Sequence, residues 1–354
     1  MTDNDAASPY RPYLLEIFTW INLGIALVLL RSHGLRINWQ TFEYTIGPMF
    51  RSLHLLFLNG LVVALVGHAV LRRSPLTFLK QLKRPRWWLD WIRMWLAVLL
   101  TTYTYFWLKV NVPVLNQRLW DEPLWRLDIL LHLGLSPSIL FVELFDGSVL
   151  VGWMDLWYTH WKESVMFLIS GFLVLYDGDM RRRFTLAVIL IWSWGAWLYV
   201  AMPALGPIYK FTEHWVQIMA SMPQAAAGQA TLWANYKIIL AGIAGEQVHA
   251  FNPTQGIGAM PSIHVAAHCF FALWTWRFMR PIFIFAFIAT GLTFVGSILT
   301  GWHYAVDGYV GIAFAYFAFR LAVYGLPNEE DANAANSSES MEENEADLTE
   351  KASP

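Results

Sequence analysis

The sequence predicts an all-α, polytopic integral membrane bundle of about eight spans, and three observations predict it. Of its 354 residues 56% are hydrophobic and 14% are charged, whereas about a quarter of a soluble domain is charged. Apolar runs of about 20 residues, the length that crosses a bilayer as a helix, recur along the chain. Many of the 20 Trp lie near the ends of those runs, where an aromatic belt meets lipid head groups.

The first span is expected at about 13–31 and the second at about 49–71, joined by a polar connector with Arg36, Asn38 and Gln40. Met1 to Pro12 lacks the basic start of a secretory signal, so the first run reads as a retained span. A basic loop follows, with Arg72, Arg73, Lys80, Lys83, Arg84, Arg86 and Arg93. The third span is expected at about 93–110. Residues 111–150 mix Pro113, Arg118, Asp121, Glu122, Pro123, Arg126 and Asp128 with apolar residues and read as interfacial helices. The fourth span is expected at about 154–176, with Lys162 and Glu163 read as an interfacial pair, and the fifth at about 184–204. Gly206 to Met260 is a long polar segment holding Lys210, Glu213, His214, Lys237, Glu246 and His249. The last three spans are expected at about 262–279, 281–300 and 304–325.

The charge is asymmetric. The chain carries -2, but from Asn328 to Pro354 nine acids face one base, so the tail carries -8 and the remainder +6. The tail is poor in apolar residues and reads as disordered. The expected organisation is a two-span extension with a basic cytoplasmic loop (1–92), a membrane core (93–325) and the acidic tail (326–354). The single cysteine, Cys269, allows no intrachain disulfide. Basic clusters follow the second, fourth and sixth spans, with Arg181, Arg182 and Arg183 after the fourth and Arg277 and Arg280 after the sixth. By the positive-inside rule those loops and both termini are cytoplasmic, and the loops after the fifth and seventh spans lie on the opposite, non-cytoplasmic face.

Two polar islands sit on that face, Gly258 to His264 and Gly301 to Asp307. Imidazoles and a carboxylate are costly near lipid, so they mark a site. On a helix His303 and Asp307, four residues apart, share a face. The carboxylate can then hold one imidazole nitrogen and leave the other free as nucleophile or base. Pro261 and Ser262 open a helix, putting His264 in its first turn beside backbone N–H groups that favour phosphate. Two such histidines suit phosphoryl transfer, one attacking phosphorus and one protonating the leaving oxygen, with no metal or cofactor needed if donors surround the phosphate. His54 and His68 read as helix-packing residues. His268, one turn after His264, invites a metal reading, but spacing fixes no third ligand and packing is favoured.

Pro261-Ser262-Ile263-His264 followed by His303-Tyr304-Ala305-Val306-Asp307 resembles the type 2 phosphatidic acid phosphatase superfamily. The His-Tyr-x-x-Asp form is similar to its lipid phosphotransferase branch, which includes inositol phosphorylceramide synthases. Met202 to Tyr209 resembles the Pro-rich element of that branch, and Asn116, Asp121, Leu124 and Asp128 carry a weaker likeness. The resemblance covers about Asn111 to Gly325 and implies a six-helix phosphatase-like core. It implies His303 as nucleophile, Asp307 as its orienting carboxylate and His264 as general acid. It implies Ser262, Gly206, Pro207, Tyr209 and Lys210 as substrate-binding residues. Its substrate would be a membrane lipid bearing phosphate, with a lipid acceptor in the case of transfer. Hydrolysis of a lipid phosphate or polyprenyl pyrophosphate is the alternative. This sequence departs from the phosphatase pattern in its cations: Ala204 to Lys210 has no Arg, and Gly296-Ser297 stands where Ser-Arg is expected. Lys210, Lys237, Arg118, Arg126 and Lys162 are the candidate replacements. From other classes, a His-based metal-binding or transport protein and an inactive scaffold remain as readings, whereas the membrane character excludes nucleic acid as a partner.

Overall fold

A computed structural model describes residues 13–35, 53–71, 75–162, 164–245 and 252–325, together with positions 43, 47 and 51. Within these, the regular structure is helical throughout. The connector residues Arg36, Asn38 and Gln40, the loop residues Arg72 and Arg73, Glu163, Glu246, His249 and the acidic tail lie outside the described residues. Four segments are long and apolar enough to cross a membrane: Leu14–Ser32, Gly178–Ala201, Arg280–Leu299 and Ala305–Tyr324. His54–Val70 and Ser164–Leu175 are apolar but shorter.

The chain opens with α1 (Leu14–Ser32), α2 (Leu53–Val70) and the short α3 (Pro75–Gln81). The longest helix, α4 (Pro85–Leu115), has Pro at its first position, where the ring's missing N–H costs nothing. Three short helices follow, α5 (Asp121–Leu131), α6 (Pro137–Phe145) and α7 (Val149–Leu156), in the stretch read as interfacial. Next come α8 (Ser164–Leu175), α9 (Gly178–Ala201), the single turn α10 (Pro207–Lys210) and α11 (Pro223–Ile243). The chain closes with α12 (Ile263–Phe278), α13 (Phe283–Leu299) and α14 (Ala305–Tyr324).

Two expectations need correction. The run at 154–176 is not one helix. Its chain passes through α7, a π turn at Trp157–Trp161 and then α8. The 12 residues of α8 rise only about 18 Å, short of a bilayer core. A π turn inserts one residue into the helical repeat and shifts every side chain after it, here aiming Lys162 inward. The segment Gly206 to Met260 also contains a full helix, α11, which starts at Pro223 and continues through the good helix formers Ala225, Ala226 and Ala227. Composition read as polarity hid this local propensity.

Packing runs outward from α9, which lies against α4, α12 and α14. Phe172, Phe184, Phe270 and Trp274 form its aromatic centre. The first two helices join the same bundle. Asn22 of α1 bridges Ser193 and the Trp197 indole of α9. Gly60 of α2 lies against Val174 of α8 and Gly171 of α8 against Val63, so small residues let the backbones approach closely.

Candidate active site

The site is built from three chain crossings tied to α5: residues 203–208, 256–264 and 300–307. Asp121, the first residue of α5, accepts from the N–H groups of Leu205 (3.0 Å) and Gly206 (2.9 Å) and from the Tyr304 hydroxyl (2.8 Å). Two turns later, on the same helix face, Asp128 accepts from the Ala305 N–H (2.7 Å) and the Val306 N–H (2.8 Å). It thus caps α14, whose first N–H groups have no partner within the helix. Burial raises both carboxyls above their ordinary value, against the opposing pull of these hydrogen bonds. The Ala259 N–H donates to the Ala204 carbonyl at 2.9 Å and the Ile208 N–H to the Gly301 carbonyl at 2.9 Å, lacing the crossings together. Gly206 has φ +99°, and a Cβ there would lie 2.4 Å from the Trp302 carbonyl oxygen. Only glycine admits both the left-handed turn and the loop that presses on it.

This lacing sets His303. Its Nδ1 lies 2.7 Å from the Ala259 carbonyl oxygen and 3.5 Å from Asp307 Oδ2. A carbonyl only accepts, so Nδ1 carries the hydrogen and Nε2 keeps its lone pair. Burial pushes the imidazole down to about 3, the ammonium charges of Lys109 and Lys162 add to this, and the Ala259 carbonyl opposes it. His303 is therefore neutral at neutral pH. The His303–Asp307 proximity does not arise from a shared helix face. His303 precedes α14, and Asp307, in its first turn, spends Oδ2 on the Tyr304 N–H at 2.9 Å. The Ala259 carbonyl is the nearer partner of the imidazole.

His264, the second residue of α12, faces the same space. Both histidines line one cavity of about 640 Å³, together with Lys109, Lys162, Gln224 and Gln255. Tyr105, Tyr158, Tyr199 and Trp302 supply its aromatic wall, and Leu56 of α2 reaches it. A second cavity of about 260 Å³, mostly aliphatic, shares Leu205 and Ile257 with the first.

The other sequence-chosen residues are not on this wall. Ser262 is fully buried at the start of α12, off the cavity wall. Gly206 and Pro207 are buried behind the 301–303 loop and shape the cavity without lining it. The Tyr209 hydroxyl donates to the Gln229 carbonyl at 3.0 Å while its ring stacks on Trp233. Lys210, Lys237, Arg118 and Arg126 are exposed to solvent, outside the cavity. Among the candidate cations only Lys162 reaches the cavity. Lys109 was missed, although a lysine ending an apolar run is a recognisable signal. His268 bonds through Nδ1 to the His264 carbonyl at 2.8 Å, His68 packs on Phe78, and His54 is exposed. Among the described residues no three His, Cys, Asp or Glu side chains gather in a metal-holding group.

No solved structure and no curated protein matches the chain. Residues 122–321 match the family model of the PAP2 superfamily. The matched segment begins in α5 and ends in α14, and takes in Asp128, Lys162, His264, His303 and Asp307. Because the match spans more than half its length, this chain belongs to the PAP2 superfamily, the type 2 phosphatidic acid phosphatases and their phosphotransferase relatives.

Proposed function

We propose that the protein is an integral membrane lipid phosphotransferase that works through a phosphohistidine at the non-cytoplasmic face. The observation that carries this is one cavity lined by two histidines, with Nδ1 of His303 held by a carbonyl and Nε2 left as the nucleophilic atom. Nε2 attacks phosphorus, the N–P bond forms and the P–O bond to the leaving lipid or alcohol breaks. His264 gives that oxygen its proton. An acceptor hydroxyl then attacks phosphorus, His264 takes back a proton, and the N–P bond breaks. His303 must be neutral to attack, which its burial favours. Asp307 and the Ala259 carbonyl stabilise the positive charge that develops on the ring.

The adjoining aliphatic cavity supports transfer over hydrolysis, since it offers an apolar acceptor a place beside the first. The alternative is hydrolysis of a lipid phosphate or polyprenyl pyrophosphate, with water as acceptor. Purified protein in detergent, given labelled phospholipids and polyprenyl pyrophosphates with and without a lipid acceptor, separates the two. A labelled product that requires acceptor means transfer, and free phosphate released without it means hydrolysis. His303→Ala is expected to lower either activity at least about 10³-fold, and His264→Ala about 10²-fold or more. Full activity in both folded variants sinks the proposal.

A further inference from the structure

We infer that Lys109 and Lys162 together form the binding site for a phosphate dianion in this chain. The inference rests on the functional reading above and names the groups that hold its substrate. The cavity wall carries two ammonium groups and two imidazoles and, among the described residues, no Asp or Glu. A cavity of that composition selects anions, and its low-dielectric walls strengthen the attraction. The arginines of the family pattern are absent from the 204–210 segment and from 296–297. The other cations on the segments around the site, Lys210, Lys237, Arg118 and Arg126, are exposed and outside the cavity.

Both lysines are positioned by structure rather than by chance of a flexible stem. Lys109 is nearly seven turns into α4. A Cβ on Gly256 would lie 2.8 Å from the Lys109 carbonyl and 2.7 Å from the Val110 nitrogen, so the loop leading to His264 rests directly on this turn of α4. The Lys109 ammonium lies 3.4 Å from the Tyr105 hydroxyl and 5.0 Å from the Tyr199 ring centre. These rings steer the charge without neutralising it. Lys162 follows the π turn, with its ammonium 6.0 Å from the ring of Trp302, the neighbour of His303. The two lysines therefore reach the same cavity from different segments, one from α4 and one from the turn that precedes α8. Together they match the two charges of a phosphate dianion and the charge that builds on a transferring phosphoryl group.

The test is equilibrium binding of inorganic phosphate and, separately, of dioctanoyl phosphatidic acid to the full-length protein in detergent micelles, measured by calorimetry. Lys109→Gln and Lys162→Gln are each expected to weaken binding about tenfold, with Lys→Arg retaining affinity within a few-fold. Lys80→Gln, an exposed control, leaves it unchanged. Weakening of both ligands assigns the pair to phosphate from any source, and weakening of the lipid alone assigns it to the bound head group; either supports the inference. Equal affinity in wild type and both Gln variants, or no saturable binding by wild type, overturns it. If Lys109→Gln does not fold, Lys162→Gln and the two Arg variants still decide. His303→Ala turnover is read in parallel. Retained turnover there, with phosphate binding still lysine-dependent, removes the phosphohistidine reading and leaves the clamp standing. Lost turnover with lysine-independent binding does the reverse.

Discussion

The two ends of α14 are held by opposite charges, and the company each charge keeps differs. At the N-terminus Asp128 accepts from two backbone N–H groups. At the C-terminus the Arg183 guanidinium donates to the Ala322 and Val323 carbonyls, at 3.1 and 2.8 Å. Both arrangements complement the helix dipole. Around the C-terminal end, however, the cations also have carboxylates. Arg183 pairs with Asp179, Arg93 with Glu16, and Arg181 with Asp90 at 2.9 Å. Arg181 is fully buried and also donates to the Leu173, Tyr176 and Trp87 carbonyls. Lys109, about 28 Å further along the helix that carries Asp90, lines a cavity that has no carboxylate among the described residues. One end of the bundle is closed electrostatically. The other is left with positive charge facing a space, and this is where an anion belongs.

The sharpest way to break this comparison is at the closed end. Asp90→Ala strips the carboxylate from a buried guanidinium, and removing one partner of a buried pair costs about 3–5 kcal/mol. The expected result is a melting midpoint lowered by roughly 10 °C, with turnover per folded molecule unchanged. An unchanged midpoint would show that the carbonyls alone satisfy Arg181. At the open end the site is held by backbone, so the most damaging change is a backbone one. Gly206→Ala forces a Cβ at φ +99° against the Trp302 carbonyl, a strain of about 1–3 kcal/mol. It is expected to displace the 301–303 loop and to lower turnover by more than the stability loss explains. A variant of normal activity would mean that the loop tolerates movement.

The same contrast explains what could be read from sequence. His264, His303 and Asp307 stand in short motifs whose spacing survives without knowledge of the fold. Asp121 and Asp128 were visible as a pair seven residues apart on a helix, but their partners, the N–H groups of residues 205–206 and 305–306, are about 80 and 180 residues away in the chain. The Ala259 carbonyl has no side-chain signature at all. Lys109 reads as the polar end of a span, and its role appears only when the 256–258 loop is laid across α4. Lys162 was a candidate among five, and separating it from Lys210 required the π turn. Charge pairs within one helix or one loop are legible, whereas charge that meets backbone from a distant segment is not.

The smallest effect concerns His303 itself. Its ordinary value of 6.5 falls to about 3 in the folded protein, so between those values the unfolded chain binds a proton that the folded one does not. Stability contributed by the neutral ring is therefore fully present above 6.5 and is lost as pH falls from 6.5 toward 3. From about pH 7.5 to about pH 5.5 this amounts to roughly 1.4 kcal/mol. His303→Asn cannot take up that proton, while its side-chain amide can still donate to the Ala259 carbonyl. Thermal unfolding of both proteins across this range is expected to show wild type losing stability relative to the variant as the medium is acidified. All other titrating groups cancel in the difference. Parallel curves would mean that the imidazole is solvated enough to charge in place. That would remove the basis for its neutral, nucleophilic state and return the open end of the bundle to an ordinary polar surface.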